Sequence, residues 1–471
     1  MKKAVIFSGA AGVIIVALVL WWAGVFSTSK PNVVLIIIDA LRGDNLGCYG
    51  FNGNISPEID EMASQGVLFE NVLSQSSWTR PSIGSMLTGK YPRSIGIYKE
   101  QFDILADEYL TLAEILKKNR YTTIGITANP NINSAFNFHQ GFDDYTDSSA
   151  IWNWMKTEPD KKKLEEDVHL PQSREIFNVL LEKAKQLKKK TPVYLQVNIM
   201  EVHSPYLTRD EYKQLFQLQT LEKPNKYYPE QEVLTLVNQT HGAVRQVSGD
   251  IGDFVKQLCA LPGWEKTVFI ITSDHGQGLD DHPDIKKGIA HGYLLYKSHV
   301  RVPLILYQTK PAKEYMKNKR VRRQVRLMDM MPTLLDYLGI TPPKNIQGVS
   351  VLDLVVKKDT APLPQLPEYF IAETHWRDVN KIAIYQDKWE YIENYDNWPG
   401  VNRAELQSID IKENGILTDE IQANPETAKK LKRLLHQWLK KYPKVKDTQP
   451  SQSPGKKETQ QLKTLGYLDN K

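Results

Sequence analysis

Apolar and small residues run without a charge over residues 4–26, behind Lys2 and Lys3, and apolar positions then return in short β-branched blocks. The blocks NVVLIIID (32–39), YTTIGITA (121–128), PVYLQVNIMEVH (192–203), TVFIITSDHG (267–276) and VPLILYQ (302–308) lack the alternation of a half-exposed strand. Each therefore predicts a strand covered on both faces. Helical spacing occupies the intervals 59–66, 109–118, 173–190, 241–258 and 327–338. Strands alternating with helices predict an α/β fold, with a mostly parallel central sheet flanked by helices. Three blocks finish in Asp39, in His203 and in the pair Asp274–His275. Parallel strands would gather those ends at one edge, where α/β folds bind ligands.

From about residue 369 the texture changes. YFIAETHW, NKIAIYQDKWEYIEN and ELQSIDI predict short antiparallel strands, and 425–441 a helix. The expected organisation is an α/β domain over 31–368, with a polar, Lys-rich insertion at 145–190, and a smaller α+β subdomain over 369–441. Residues 442–471 comprise a polar connector and an apolar tail, LKTLGYL, expected to dock back onto the body.

The run at 4–26 is long enough to span a bilayer, which takes about 20 apolar residues. Two lysines ahead of it favour an N-in orientation, and Trp21 and Trp22 sit where an interfacial anchor would. A cleaved signal has a shorter apolar region and a small-residue cleavage site. Residues 1–30 are thus expected to be a retained membrane anchor and linker, with the rest of the chain outside the cytoplasm, at a cell surface or in a periplasm.

Hydrophobic content of 41% and charged content of 24% exclude disorder as the main state of these 471 residues. A net charge of +5 gives no electrostatic footprint for nucleic acid, and no nucleic-acid-reading motif occurs. The 2 cysteines, Cys48 and Cys259, form no disulfide framework or metal-ligand spacing. Oligomeric state has no sequence signature here.

The chemistry lies at the strand ends. Asp274 and His275 offer one oxygen and one nitrogen for a divalent cation. Asp39, at another strand end, would repel Asp274 unless a cation or proton lay between them. In SSWTRPSIGSMLTGKYP (76–92), Thr79 opens a helical segment. Its hydroxyl would then sit where backbone N–H groups and the helix dipole favour an anion. A metal touching that oxygen lowers its pKa and makes it a nucleophile. Taken alone, Thr79 reads first as a helix cap before Pro81.

The order of IIIDALRGDNLGCYG, T-R-P-S with L-T-G, HSPY, SDHG, AHG with VRVPLI, RLMDMMPTLLDYLGI, IQGVSVLDL and LKTLGYL resembles the sulfatase family of the alkaline phosphatase superfamily. The likeness covers nearly everything after the anchor except parts of 145–190 and 442–460. It implies an alkaline-phosphatase-like fold with a smaller C-terminal α+β part. It also implies one divalent metal (zinc, manganese or calcium) held by Asp39, Asp274, His275 and Thr79. Thr79 falls on the nucleophile, His203 beside the transferred group, and His291 near the leaving oxygen. Arg80 and Ser82 fall among the substrate-binding positions. A second metal would have only Glu201, His203, His282 and His291 to draw on.

Departures from the family pattern shape the expected chemistry. Active sulfatases carry a Cys or Ser converted to formylglycine in C/S-x-P-S-R. Here Thr79 would oxidise to a ketone, so no formylglycine is expected. Ile83 replaces the Arg of that motif, and Ala40 replaces a second Asp. A threonine nucleophile resembles the superfamily's phosphodiesterases and phosphotransferases. The leading expectation is a phosphoester hydrolase or phosphotransferase with a covalent Thr79 intermediate. The alternatives are a sulfuric ester hydrolase and a non-catalytic binding protein on the same fold. Small-molecule, lipid-headgroup and glycan esters are all admissible substrates.

Overall fold

The computed structural model describes residues 30–98, 103–147, 171–187, 191–206, 208–309, 316–357, 365–395, 404–408, 419–445, 459, 462 and 463. The expected anchor over 4–26, most of the insertion at 145–190 and most of the connector and tail lie outside them. Among the described residues, no helix is long and apolar enough to cross a membrane.

The main sheet has nine strands. In chain order they are β1 (Asn32–Ile38), β2 (Val67–Leu73), β3 (Thr122–Thr127), β4 (Asp144–Thr146), β5 (Val193–Ile199), β6 (Thr267–Thr272), β7 (Arg301–Gln308), β8 (Lys319–Val321) and β9 (Val325–Arg326). The spatial order is β4-β3-β5-β1-β6-β7-β2-β8, with β9 also on β2. β1 pairs in parallel with β5 and β6, and β3 pairs in parallel with β5. Every side chain of NVVLIII in β1 is buried, as a strand with neighbours on both edges and helices on both faces requires.

Around the sheet lie α1 (Pro57–Gln65), α2 (Thr79–Thr88), α3 (Leu112–Lys118), α4 (Ser173–Gln186), α5 (Glu230–Ala260) and α6 (Met330–Tyr337). α5 begins well before the expected 241, because Val233, Leu234 and Val237 extend its buried stripe. The strands expected to reach His203 and Gly276 stop at Ile199 and Thr272. Their last residues turn away from the ladder, and these are the chemically active ones. The sequence pattern predicts no strand at 67–73, where Glu70 and Asn71 interrupt the apolar run. The structure absorbs that interruption as a register shift between Phe69 and Val72.

β10 (Phe370–Trp376), β11 (Val379–Gln386), β12 (Trp389–Asn394) and β13 (Ala404–Ser408) form a second, antiparallel sheet. One face packs under α7 (Pro425–Lys441) through Ile371, Ile382, Ile384, Tyr391, Leu406, Leu431, Leu435 and Trp438. The other sends Phe370, Ala372, Trp376, Val379, Ala383 and Tyr385 into the main core, where Leu462 of the expected docking tail is also buried.

β7 runs antiparallel to both β6 and β2, so β2 points the same way as β1, β3, β5 and β6. One edge of the sheet therefore collects the loops leaving β1, β2, β3, β5 and β6, together with the loop entering β7.

Candidate active site

At that edge β1 ends and Asp39 makes one more ladder bond, from its N–H to the Ile199 carbonyl at 2.9 Å. The chain then turns through Ala40, which takes a left-handed φ of 59°. This conformation aims the Ala40 N–H at Asp274 Oδ1, 3.2 Å away, and the Leu41 N–H at Ser273 Oγ, 3.0 Å away. The His275 N–H donates to the same Asp274 Oδ1 at 2.9 Å. Asp39 Oδ2 accepts from Asn129 Nδ2 at 2.6 Å. Each carboxylate thus has one oxygen fixed by the protein. The other two, Asp39 Oδ1 and Asp274 Oδ2, are buried without a hydrogen-bond donor among the described residues.

His275 completes the set. Its Nδ1 lies 2.8 Å from the Gly276 carbonyl, which makes Nδ1 the protonated nitrogen. Nε2 therefore presents a lone pair, 3.7 Å from Asp39 Oδ1 and 3.5 Å from Asp274 Oδ2. Ligand atoms of all three residues fall within 4.8 Å of one another. Burial, and then the charge of Asp274, push the Asp39 carboxyl well above its usual range, against hydrogen bonding from Asn129 and Thr79. Two orphaned oxygens and one imidazole lone pair around a single gap fit a divalent cation. Buried charges are otherwise paired or neutralised.

Thr79 is the first residue of α2, after an extended Trp78, and is fully buried. Its Oγ1 lies 3.3 Å from His275 Nε2 and 3.3 Å from Asn129 Nδ2. Asn129 therefore donates to Thr79 Oγ1, and the single hydrogen of the Thr79 hydroxyl has His275 Nε2 and the Asp39 carboxylate as its acceptors. These contacts place the oxygen beside the ligand gap and over the positive end of a helix.

Two further imidazoles close the site. The His203 and His291 rings are 4.6 Å apart, and the His291 and His275 rings 5.0 Å apart. His203 Nδ1 donates to the Ser204 carbonyl. Burial lowers the His203 pKa to about 3 and, with the neighbouring histidines, holds His291 well below its ordinary value. Both are neutral imidazoles at pH 7. Asp39, Thr79, His203, Asp274 and His275 have no exposure, whereas His291 is partly exposed and marks the way in.

Ser82 and Arg80, the remaining expected residues, are buried beside these groups. The Ser82 hydroxyl donates to the Asp274 carbonyl at 2.6 Å and contacts Ser74 Oγ at 2.8 Å, fastening α2 to the β6 end. Arg80 lies under the Phe136 ring, 3.6 Å from its centroid, and donates to Asn131 Oδ1 at 2.8 Å. Ile83, at the family's Arg position, is wholly in the core. Of the second-metal candidates, Glu201 accepts from the Ser173 N–H and His282 contacts Ser298 Oγ. Only one three-ligand group occurs among the described residues.

Sequence reasoning missed Asn129, Asn198 and Trp376. Asn129 follows YTTIGITA as Asp39 follows NVVLIII, so the same strand-end rule would have found it. Asn198, near the end of β5, is buried with neither side-chain polar atom hydrogen-bonded among the described residues. Trp376 comes from the second sheet, with its ring 5.6 Å from His291 and 5.0 Å from Trp78. No local pattern signals that contact.

The sulfatase profile matches residues 31–340, most of the chain. This chain belongs to the sulfatase family. A second profile, the C-terminal part of N-sulphoglucosamine sulphohydrolase, matches residues 288–443 and so takes in the antiparallel sheet of this family member. An arylsulfatase of Clostridium perfringens is 25% identical over 390 residues, covering 70% of this chain and 79% of the relative. An ulvan-active sulfatase of Formosa agariphila is 28% identical over 358 residues, covering 70% and 66%. The phosphonate monoester hydrolase of Agrobacterium radiobacter superposes with a TM-score of 0.73 at 16% identity, over 88% of this chain and 96% of that one. The fold is thus alkaline-phosphatase-like, and the sulfatase family makes the chain an ester hydrolase.

Proposed function

We propose that this sulfatase-family chain is a metal-dependent phosphoester hydrolase or phosphotransferase that works through a covalent intermediate on Thr79. The observation that carries the reading is the Thr79 hydroxyl, 3.3 Å from His275 Nε2 at the start of α2, where its family's formylglycine precursor would stand. Asp39, Asp274, His275 and Thr79 would hold one divalent cation. Such an ion lowers the pKa of a hydroxyl it touches and offsets the charge on the ester's non-bridging oxygens.

The side chains supply the rest. Thr79 Oγ1 forms a bond to phosphorus while the ester P–O bond breaks, and the electron pair leaves on the alcohol oxygen. The Thr79 proton passes to a neighbouring imidazole and from there to the leaving oxygen, for which the partly exposed His291 is best placed. Asn129 holds the Thr79 oxygen in line throughout. Water or an acceptor alcohol then attacks phosphorus and releases Thr79. A phospho-threonine can be displaced in this way. A sulfo-threonine lacks the elimination route that a formylglycine hydrate supplies, which favours phosphorus.

Sulfate-ester hydrolysis is the second reading, supported by the family profile and by relatives named as sulfatases. Turnover of an aryl phosphodiester and an aryl sulfate by metal-loaded protein separates the two. We expect the phosphodiester to react at least tenfold faster, with Thr79→Ala losing about a thousandfold. Full activity in Thr79→Ala would end the reading. We also propose that residues 4–26 hold the enzyme to a membrane with its catalytic domain outside the cytoplasm.

A further inference from the structure

Three rings surround His291. His203 lies 4.6 Å away and His275 5.0 Å away, on the loops leaving β5 and β6, and Trp376 lies 5.6 Å away. Of the three, only Trp376 comes from the antiparallel sheet, where it ends β10 in the β10–β11 hairpin. It is buried, and its ring also meets the Trp78 ring at 5.0 Å. Trp78 is the residue before Thr79 and the N-cap of α2. One indole thus touches both the segment that carries the Thr79 hydroxyl and the imidazole at the entrance.

The backbone around that indole is tied to the same two segments. The Glu373 N–H donates to the Gln75 carbonyl at 3.0 Å, ahead of Thr79. Thr374 Oγ1 donates to the Gly292 carbonyl at 2.6 Å, and the Gly292 N–H donates to the Ser77 carbonyl at 2.9 Å. Gly292 takes a φ of 81°, and a Cβ there would stand 2.7 Å from the Trp376 ring, so the indole rests directly on the backbone beside His291. Glu373 is itself held by Arg93 at 3.0 Å, both residues buried. Within four residues, β10 therefore has three points fixed against the loops of Thr79 and His291.

We propose that Trp376 is a positioning residue, which sets where the His291 imidazole stands relative to Thr79 and the leaving oxygen. This deepens the reading of Thr79 as nucleophile and of His291 as the group that meets the leaving oxygen, and rests on it. The antiparallel sheet then takes part in the reaction through His291. An imidazole delivers a proton only within hydrogen-bond reach of its target, so a displacement of about 1 Å costs much more in rate than in binding. Without an aromatic face at position 376, two histidines alone would hold the ring.

The test uses the full, metal-loaded chain and two aryl phosphodiesters, one releasing 4-nitrophenol and one phenol, with the matching aryl sulfates assayed alongside. 4-Nitrophenoxide leaves unaided, whereas phenoxide is the stronger base and needs the proton. Trp376→Leu, which keeps apolar volume, should lose about thirtyfold in kcat/KM on the phenyl ester and about threefold or less on the nitrophenyl ester. Inhibition by inorganic phosphate should change less than about twofold. Trp376→Phe, which keeps an aromatic face, should stay about threefold below wild type on the phenyl ester alone. Crystal structures read the same claim without turnover: the His291 ring should leave its contact with His203 in Trp376→Leu and keep it in Trp376→Phe. Equal losses on both esters would make Trp376 a structural residue only and overturn the proposal. So would wild-type turnover of the phenyl ester, or an unmoved His291 ring, in Trp376→Leu. Should Trp376→Leu not fold, Trp376→Phe decides alone: a loss confined to the phenyl ester supports the proposal, and an equal loss on both esters, or none, overturns it. If the loss follows the leaving group while Thr79→Ala keeps full activity, the role of Trp376 stands and the Thr79 reading falls.

Discussion

Asp39 and Asp274 each spend one oxygen on the protein and leave the other facing the same gap. The arrangement costs stability, since Ala40 holds a left-handed backbone at about 1 kcal/mol and two buried carboxylates face each other. A bound cation would offset both. Adding manganese or zinc at a hundred times its dissociation constant should therefore stabilise the folded protein by about 2.7 kcal/mol. Calorimetric melting with and without the ion should show a rise in Tm for the wild type and little or none for Asp274→Asn. An equal rise in both would place the ion elsewhere. Asp39, Asp274 and His275 were legible in the sequence because each is a polar residue ending an apolar block. Asn129 obeys the same rule, yet an amide carries no charge to draw attention.

Elements converge on the site through loops held by buried polar groups. His299 donates from Nε2 to the Ala290 carbonyl at 3.0 Å, so its Nδ1 accepts from Ser298 Oγ at 3.0 Å, which in turn accepts from His282 Nε2 at 2.9 Å. This chain steadies the loop that carries His291. Burial, aided by Arg42 and opposed by Asp281, lowers the His282 pKa to about 4. Above pH ~6.5 the ring is neutral whether folded or unfolded, and it contributes no pH dependence. Between pH ~6.5 and 4 the unfolded chain takes up a proton that the folded one refuses, so stability falls with pH by about 1.4 kcal/mol per unit. Chemical denaturation of wild type and His282→Gln across that window should show a shallower slope in the variant. The joint to the second sheet is equally specific. A Cβ on Gly292 would lie 2.7 Å from the Trp376 ring at a φ of +81°, so Gly292→Ala should cost more than about 2 kcal/mol. A wild-type denaturation midpoint in that variant would mean that the hairpin yields freely. The strands of this subdomain follow from the short apolar and aromatic blocks after residue 369 and its helix from the spacing over 425–441, whereas the Trp376–His291 contact is purely tertiary.

At the scale of the molecule, β1 relates the site to the point where the described chain begins. Lys30 and Asn32 lie at one edge of the sheet and Asp39 at the other, about 23 Å away for seven residues of strand. A chain anchored over 4–26, as proposed, would enter the sheet at the end of β1 opposite Asp39. Reconstituted full-length enzyme should then turn over soluble or polymer-linked esters and spare headgroup esters of its own leaflet. Preferential attack on lipids of the same vesicle would contradict that orientation. Deleting residues 1–30 should release the protein from membranes with kcat on soluble esters unchanged. The α/β architecture was legible because fully apolar blocks alternate with helical periods. The reversed direction of β7 was not, since a buried strand carries the same pattern whichever way it runs.

One measurement bears most directly on Thr79 as the nucleophile. Metal-loaded enzyme turning over an aryl phosphodiester is quenched in acid, digested and mapped by mass spectrometry. A phosphoryl group on the peptide containing Thr79, absent from Thr79→Ala and from enzyme stripped of metal, is the expected result. Rapid turnover with every captured phosphoryl group on another residue, or with none on Thr79 under conditions that slow the second step, would contradict it.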